Sequence, residues 1–309
     1  MTAPADAAHV AHFADCARFV TVEAAENRRL ARDTYRLRFF CPSIAERIVP
    51  GQFVMLRLAG SNDPLLGRPL ALYDTVLDEG GRPVGVDVVY LVVGKLTRKL
   101  AALAPGQPLE VWGPLGNGFG PQTAGGFGPQ AAGGIPPQPS EHLVMVAGGI
   151  GQTPFPALAQ ETLGRRQYGS PPRSAARAGR VTLCYGARSR EYLAGVEEFE
   201  RLGVSVQIST DDGSAGRHGL VTELLSKILN EAKTSCRVVC CGPERMLEAV
   251  AELTCRAGVP CQISLETPMA CGIGICFSCV AKVREPSGGW DYRRTCVEGP
   301  VFDAAAIEF

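Results

Sequence analysis

Hydrophobic and polar positions alternate in two different rhythms along this chain. From about Phe19 to Gly116, short runs of valine, leucine and aromatic residues are separated by turn residues. Examples are Phe19–Glu23, Thr34–Phe40, Gln52–Leu58, Val84–Val93 and Pro108–Trp112. A further apolar strand follows Arg68. Such spacing predicts an antiparallel β-barrel or sandwich, interrupted by one short helix over Thr97–Leu103. From His142 the rhythm changes. Strand-like runs at His142–Ala147, Arg180–Tyr185, Val204–Thr210, Arg237–Cys241 and Cys261–Leu265 alternate with helix-like stretches at Pro154–Leu163, Glu191–Leu202, Val221–Ala232 and Glu244–Arg256. This is the pattern of a parallel-sheet α/β domain of the nucleotide-binding kind.

Between the two lies a low-complexity insert. Gly118–Gly125 (GFGPQTAG) is nearly repeated as Gly126–Gly133 (GFGPQAAG) and is followed by Ile135-Pro136-Pro137-Gln138-Pro139. Two copies cannot build a solenoid, and the composition is that of a linker. The expected organisation is a β-barrel over 16-118, a linker over 119-140, an α/β domain over 141-265 and a small cysteine-rich tail over 266-309.

Composition narrows the function. With 46% apolar and 20% charged residues the chain can bury sizeable cores. Basic and acidic residues both number 31, so no basic excess points to nucleic acid or a membrane surface. No apolar run reaches membrane-spanning length. The first sixteen residues lack the basic-then-apolar pattern of a signal peptide, so a cytoplasmic location is expected. Thirty-six glycines and 23 prolines, well above average, imply many tight turns and backbone-lined sites.

Twelve cysteines in a chain without an export signal argue against a disulfide framework. Cys16, Cys41, Cys184, Cys236, Cys240, Cys255 and Cys261 read as small buried hydrophobes, with Cys241 the exception. The other four are spaced Cys271-x4-Cys276-x2-Cys279-x16-Cys296, the plant-type spacing for a 2Fe–2S cluster. Gly272 and Gly274 suit a loop that must take left-handed angles and turn its amides toward sulfur. A structural zinc site is the alternative, although zinc ligands usually come as two separated pairs.

Three other segments suit phosphate or nucleotide. Arg68, ahead of Pro69-Leu70-Ala71, can hold a diphosphate through paired charged hydrogen bonds. Gly94-Lys95-Leu96-Thr97 opens a helix whose amides face outward. Gly148-Gly149-Ile150-Gly151-Gln152-Thr153-Pro154 is a strand-to-helix turn, and Cys241-Gly242-Pro243 ends a later strand. Both lie at the carboxyl edge, where open α/β sheets bind ligands. Alone, each is equally well a tight turn.

In combination they are more specific. Arg68-Pro69-Leu70, Gly113-Pro114-Leu115-Gly116-Asn117-Gly118-Phe119, Gly148-Gly149-Ile150-Gly151, Cys241-Gly242-Pro243 and the cysteine cluster occur in an order that resembles the ferredoxin–NADP reductase superfamily. The chain is most similar there to the electron-transfer subunits of the NAD-linked dihydroorotate dehydrogenase B class. The most specific part is Met269–Cys279, closing at Cys296 with Glu298-Gly299-Pro300-Val301-Phe302; Asp211-Asp212-Gly213-Ser214 adds to it. The resemblance implies FAD on the barrel, held by Arg68 to Ala71 and by Gly94, Leu96 and Thr97. It implies NAD, or NADP, against Gly148, Gly149, Gly151, Thr153, Cys241, Gly242 and Pro243. It also implies a cluster on the four cysteines and an FMN-containing dihydroorotate dehydrogenase catalytic subunit as partner. No residue is expected to act as a general base, because the chemistry belongs to the cofactors.

Two positions depart from the family. Ala71 replaces a serine that offers a hydroxyl to the flavin, and Leu96 replaces a glycine in the phosphate loop, so its side chain must point away. The stretch between Cys279 and Cys296 is long and reads as an extended hairpin turning at Ser287-Gly288-Gly289. Two rival readings use other partners or none: a subunit of another NAD(P)H-dependent ferredoxin or sulfide-type oxidoreductase, and a redox-sensing binding module with vestigial nucleotide sites. Arg188 and Arg190 would suit a 2′-phosphate, though loop arginines are commonly just solvated.

Overall fold

The structure is a computed structural model. It describes residues 16–120 and 141–309, except 174, 176, 233, 286 and 287. Most of the duplicated insert (121–140) and Ser287 of the expected hairpin turn lie outside the described residues.

Six antiparallel strands close into a barrel: β1 (Arg18–Ala31), β2 (Thr34–Phe40), β3 (Phe53–Leu58), β4 (Arg68–Leu77), β5 (Pro83–Leu91) and β6 (Pro108–Leu115), in the order β1-β2-β5-β4-β3-β6. Closure depends on β1, which is much longer than the run Phe19–Glu23 suggests. Its first half pairs with β6 and its second half with β2, with a register shift between Ala24 and Glu26 where the strand changes partner. The second half carries polar residues on both faces, so period-2 alternation could not show it. Inside the barrel, Leu37, Phe39, Val54, Leu56, Leu72, Val86, Val88 and Val111 are fully buried. Helix α1 (Pro42–Ala45) follows β2, and α2 (Lys95–Ala101), two residues earlier than expected, follows β5.

The second body is a seven-stranded sheet made of β7 (His142–Gly148), β8 (Arg180–Ala187), β9 (Ser205–Thr210), β10 (Arg217–His218), β11 (Cys236–Cys241), β12 (Cys261–Ser264) and β15 (Val301–Asp303). Its order is β10-β9-β8-β7-β11-β12-β15, parallel except for β15. Helices α3 (Phe155–Thr162), α4 (Val196–Arg201), α5 (Val221–Glu231) and α6 (Glu244–Ala257) cover its faces. Strand β7 has six of seven residues buried, as parallel strands covered on both sides require. Strand order reverses beside β7, which puts a topological switch point between β7 and β11.

The cysteine tail is not a separate appendage. It leaves the sheet after β12, forms the cysteine loop and the hairpin β13 (Val280–Arg284) and β14 (Trp290–Arg294), and returns as β15, antiparallel to β12. A small apolar core joins it to the outside of the barrel: Phe53, Met55 and Leu115 pack against Met269, Cys279, Cys296 and Val297. Of the other cysteines, Cys41, Cys184, Cys236, Cys240 and Cys261 are buried, whereas Cys16 and Cys255 are exposed.

Candidate functional site

The cysteine loop is built from close approaches that only glycine allows. Gly272 has φ +74°, and a Cβ there would lie 2.5 Å from Met55 Cγ; Gly274 has φ +84°, and its Cβ would lie 2.6 Å from Val297. The thiols fall into two pairs. Cys271 and Cys276 interact with each other, as do Cys279 and Cys296, and Cys271 also lies close enough to Cys296 to act on it electrostatically. Loop amides point at sulfur: Ile273 N–H donates to Cys271 Sγ at 3.4 Å, and the Gly274 amide donates to Cys296. Hydrogen bonds from Ser278 pull the Cys276 thiol down to about 6. Cys279 is pulled to about 6 and Cys296 is pushed up, because one proton serves both members of that pair. Depressed thiols are the form that binds metal.

Among the described residues, no three Cys, His, Asp or Glu side chains gather around one point as a single ion requires. A two-iron cluster asks for something else, two cysteines per iron, and the paired thiols with amides aimed at them fit that group. Cys279 and Cys296 are buried, whereas Cys276 is exposed.

Trp112 on β6 and Asn117 just beyond its end, neither given a role by the sequence, hold this loop. Trp112 Nε1 donates to the Cys271 carbonyl at 2.9 Å, and Asn117 ties down the segment after Cys296. The Asn117 amide donates to Glu298 O (3.1 Å) and Val301 O (2.8 Å) and accepts from Val301 N (3.0 Å). Asn117 lies within a motif noted in the sequence, but Trp112 read only as a barrel residue.

Trp112 also leads to the second site. A Cβ on Gly67 would meet Trp112 Cη2 at 2.7 Å, so the chain entering β4 lies against the indole. The next residue, Arg68, is exposed, bonds only to the carbonyls of Leu66 and Gly67, and has no carboxylate partner among the described residues. An exposed guanidinium without an acid fits a diphosphate. Pro69 pairs with Met55, Leu70 is buried, and Ala71 is half-buried opposite Phe53. At α2 the Thr97 hydroxyl is already engaged, accepting from the amides of Val93 and Gly94 at 3.0 Å each. Leu96 turns its side chain into the barrel core, so it does not block the helix's open first amides.

The third site lies at the switch point. A Cβ on Gly151 would come within 2.1 Å of Cys241 O; one on Gly242 would lie 3.0 Å from Gly148 N, and one on Gly148 would meet Pro243 and Met246 at 2.7 Å. The two loops are therefore fitted edge to edge. Gly149 is different: it has φ +55° and open space before it. A left-handed glycine facing open space at the carboxyl edge fits a pyrophosphate. Thr153 is buried. Burial pushes the Cys241 thiol up to about 12, so it is a neutral group.

Barrel, sheet and cysteine loop together define a flavin- and nicotinamide-nucleotide-binding oxidoreductase with an iron–sulfur tail. Family models agree segment by segment: an oxidoreductase FAD-binding domain over 21–119, an oxidoreductase NAD-binding domain over 145–252, and the iron–sulfur cluster binding domain of dihydroorotate dehydrogenase B over 266–308. The dihydroorotate dehydrogenase B (NAD(+)) electron transfer subunit of Desulforamulus reducens is 35% identical over 88% of this chain and 92% of its own. That of Caldanaerobacter subterraneus subsp. tengcongensis is 34% identical over 92% and 96%. The chain belongs to the family of dihydroorotate dehydrogenase B electron transfer subunits. Among solved structures, an NADH-dependent reduced ferredoxin-NADP oxidoreductase studied for flavin-based electron bifurcation superimposes with a TM-score of 0.72 at 26% identity, covering 93% of this chain and 89% of that one. An Amycolatopsis cytochrome P450 reductase shares the fold, with a TM-score of 0.59 at 24% identity over 82% and 69%. The chain is an FAD, NAD and iron–sulfur electron-transfer protein.

Proposed function

We propose that this chain carries electrons from an FMN-containing dihydroorotate dehydrogenase catalytic subunit to NAD+ in pyrimidine biosynthesis, in the cytoplasm. The observation that carries the reading is the face around the cysteine loop: Ile275 is 74% exposed and Phe277 62% exposed, on either side of the exposed Cys276. Apolar side chains of that size left bare beside a redox loop suit a docked protein. No described helix is long and apolar enough to cross a membrane.

When bound, FAD would supply hydride exchange with the nicotinamide nucleotide and one-electron exchange with the iron–sulfur centre, the conversion between two-electron and one-electron carriers. The chain's own residues bind and orient. Arg68 would neutralise the FAD diphosphate, and the open first amides of α2, at Lys95 and Leu96, would add dipoles at the same end, with the Gly94 amide held by Thr97. Pro69 and Ala71 would flank the ring, with Leu70, whose side chain is in the barrel core, offering only its backbone; with no hydroxyl at Ala71, only backbone can hydrogen-bond there. The Gly148–Thr153 turn takes the NAD pyrophosphate, and neutral Cys241 with Gly242 and Pro243 walls the nicotinamide end without repelling it by charge. Cys271, Cys276, Cys279 and Cys296 hold the cluster. The units 16-118, 141-265 and 266-309, joined by the linker 119-140, are the parts of this assignment.

The test is dihydroorotate-dependent NAD+ reduction by the chain co-purified with its host's FMN-containing subunit. A stable complex whose NAD+ reduction disappears in Cys276→Ser is the expected result. A chain that holds FAD and iron–sulfur yet forms no complex and shows no activity would sink the reading. The ferredoxin-NADP oxidoreductase likeness favours a second reading, a subunit serving a ferredoxin-linked partner, and that negative result would leave it standing.

A further inference from the structure

Arg294 ends β14, two residues before Cys296, and reaches across to the cysteine loop. Its Nη1 donates to the Gly274 carbonyl at 3.0 Å, and its guanidinium lies 5.0 Å over the ring of Phe277. These contacts fall on either side of Cys276. Phe277 has φ +54°, a left-handed conformation that costs a bulky residue free energy and persists only when its surroundings hold it. A stacked guanidinium is one such restraint. Arg294 is itself fixed by Glu298, whose Oε2 accepts from the Arg294 backbone N–H at 2.7 Å and lies 3.3 Å from its Nε. The other Glu298 oxygen faces Arg293 Nη1 at 3.4 Å. Arg293 also meets Glu285 and Asp291 on the hairpin, whereas Arg294 reaches the loop itself through the Gly274 carbonyl.

We infer that Arg294 is a positioning residue that holds the Cys276 segment and, through its charge, makes the cluster easier to reduce. One electron arriving from the FMN of the proposed partner, which is oxidised by one electron, would add one negative charge within the cysteine loop, with no bond made or broken. A fixed cation bonded to that loop stabilises the more negative state more than the oxidised one, which raises the midpoint potential. The Glu298 carboxylate works in the opposite sense while it orients the arginine. The two side chains are therefore an opposed pair acting on one redox centre. A planar fork is needed to stack on Phe277 and reach Gly274 together, but only the charge is needed for the potential.

The inference rests on the four-cysteine ligand set proposed above. Its test is a redox titration of the purified, FAD- and cluster-loaded chain, following the electron paramagnetic resonance signal of the reduced cluster. Arg294→Gln is expected to move the midpoint to more negative potential, Arg294→Lys to restore it close to the unmodified value, and Glu298→Gln to move it to more positive potential. Equal shifts in Arg294→Gln and Arg294→Lys, or no shift in Arg294→Gln, would overturn the electrostatic role. If Arg294→Gln fails to retain a cluster, Glu298→Gln decides: an unchanged or more negative midpoint overturns the inference. An unmodified chain with no iron–sulfur signal would instead overturn the ligand set, and this inference with it.

Discussion

The indole N–H of Trp112 donates to the carbonyl of Cys271 across 2.9 Å, joining a barrel strand to the first cysteine of the redox loop. The far edge of the same ring abuts Gly67, next to Arg68. One side chain thus spans from the FAD-binding motif to the cysteine loop. Exposed Phe19 also lies against it, tilted by 32° with ring centroids 5.9 Å apart. Removing the donor while keeping a ring tests the hydrogen bond alone. Trp112→Phe should cost about 1 kcal/mol and speed loss of the cluster to a chelator, read as bleaching of visible absorbance, with FAD content unchanged. Gly67→Ala should go further, because its Cβ displaces the indole and the start of β4 together; FAD content should fall as well.

Asn117 gives a sharper stability test. Its three hydrogen bonds fasten residues 298–301 to the end of the barrel, and the Asn117 backbone N–H adds one to Gly299 O at 2.6 Å. Asn117→Ala removes the side-chain bonds and leaves the Val301 amide without its acceptor. A cost of about 2–4 kcal/mol follows from roughly 1 kcal/mol per bond. Denaturant unfolding should show a lower midpoint, and the cluster should be lost before the barrel unfolds.

The nucleotide loops separate steric need from conformational need. At Gly151 a Cβ would strike Cys241 O, a backbone atom that cannot swing aside. Gly151→Ala should therefore prise the two loops apart, costing about 3 kcal/mol, at the upper end for overpacking. It should also weaken NAD+ binding at least tenfold by calorimetry. Gly149→Ala meets no atom but must adopt φ +55°, which costs roughly 1–2 kcal/mol. Its loss of affinity should be smaller, with the global unfolding midpoint nearly unchanged. Equal effects of the two substitutions would refute the distinction.

These residues differ in how far the chain alone disclosed them. The cysteine spacing, the glycine turn at Gly148–Gly151 and the two structural rhythms are local, and local pattern is what a sequence displays. Trp112 and Cys271 are 159 positions apart, and nothing in either segment announces the other. Strand β15 has three residues, too short for alternation to register, so the return of the tail to the sheet was invisible. Arg294 is one of several arginines in a hairpin, and only the fold shows that it faces Gly274 rather than water. At Thr97 the fold adds to the local pattern: the phosphate contact expected there belongs to the backbone amides, and the hydroxyl closes the start of the helix by accepting from Val93 and Gly94.

At the opposite edge of the sheet, His142 supplies a pH dependence. It is buried, its Nε2 lies 2.8 Å from Thr182 Oγ1, and burial first and Arg180 second hold its pKa below the ordinary 6.5. The folded protein thus favours the neutral ring, and the unfolded chain takes up the proton first. His142 contributes its full stability above about pH 6.5, and that contribution is lost as pH falls from there through the depressed folded value. His142→Gln removes the titration and keeps a polar group near Thr182. The unmodified chain should lose unfolding free energy between pH 7 and pH 5.5 more steeply than His142→Gln; parallel curves would show that His142 is not responsible.

The junction between barrel and sheet turns on Tyr73 and Glu198. Tyr73, two residues beyond Ala71 on β4, donates its hydroxyl to Glu198 Oε2 on α4 at 2.5 Å, and Arg36 Nη1 stands 3.5 Å from the other oxygen. Burial, then the nearby carboxylate, raises the Tyr73 pKa well above 10, so it stays protonated and remains a donor. A Cβ on Gly195 would lie 2.6 Å from that hydroxyl, so α4 begins against it. This bond therefore links the strand that carries Arg68 to the body that carries Gly148–Thr153. Tyr73→Phe keeps the ring and strips the carboxylate of its donor, at a cost of about 1.5–3 kcal/mol for a bond to a charged group. Tyr73→Phe should widen the distribution of distances between spin labels on barrel and sheet, and should weaken the charge-transfer absorbance that NAD+ gives with reduced FAD. FAD content should hold, because Arg68 and α2 are untouched. Glu198→Gln, which can still accept from Tyr73, should fall between Tyr73→Phe and the unmodified chain; a Glu198→Gln effect larger than that of Tyr73→Phe would mean that Arg36, not Tyr73, makes the joint.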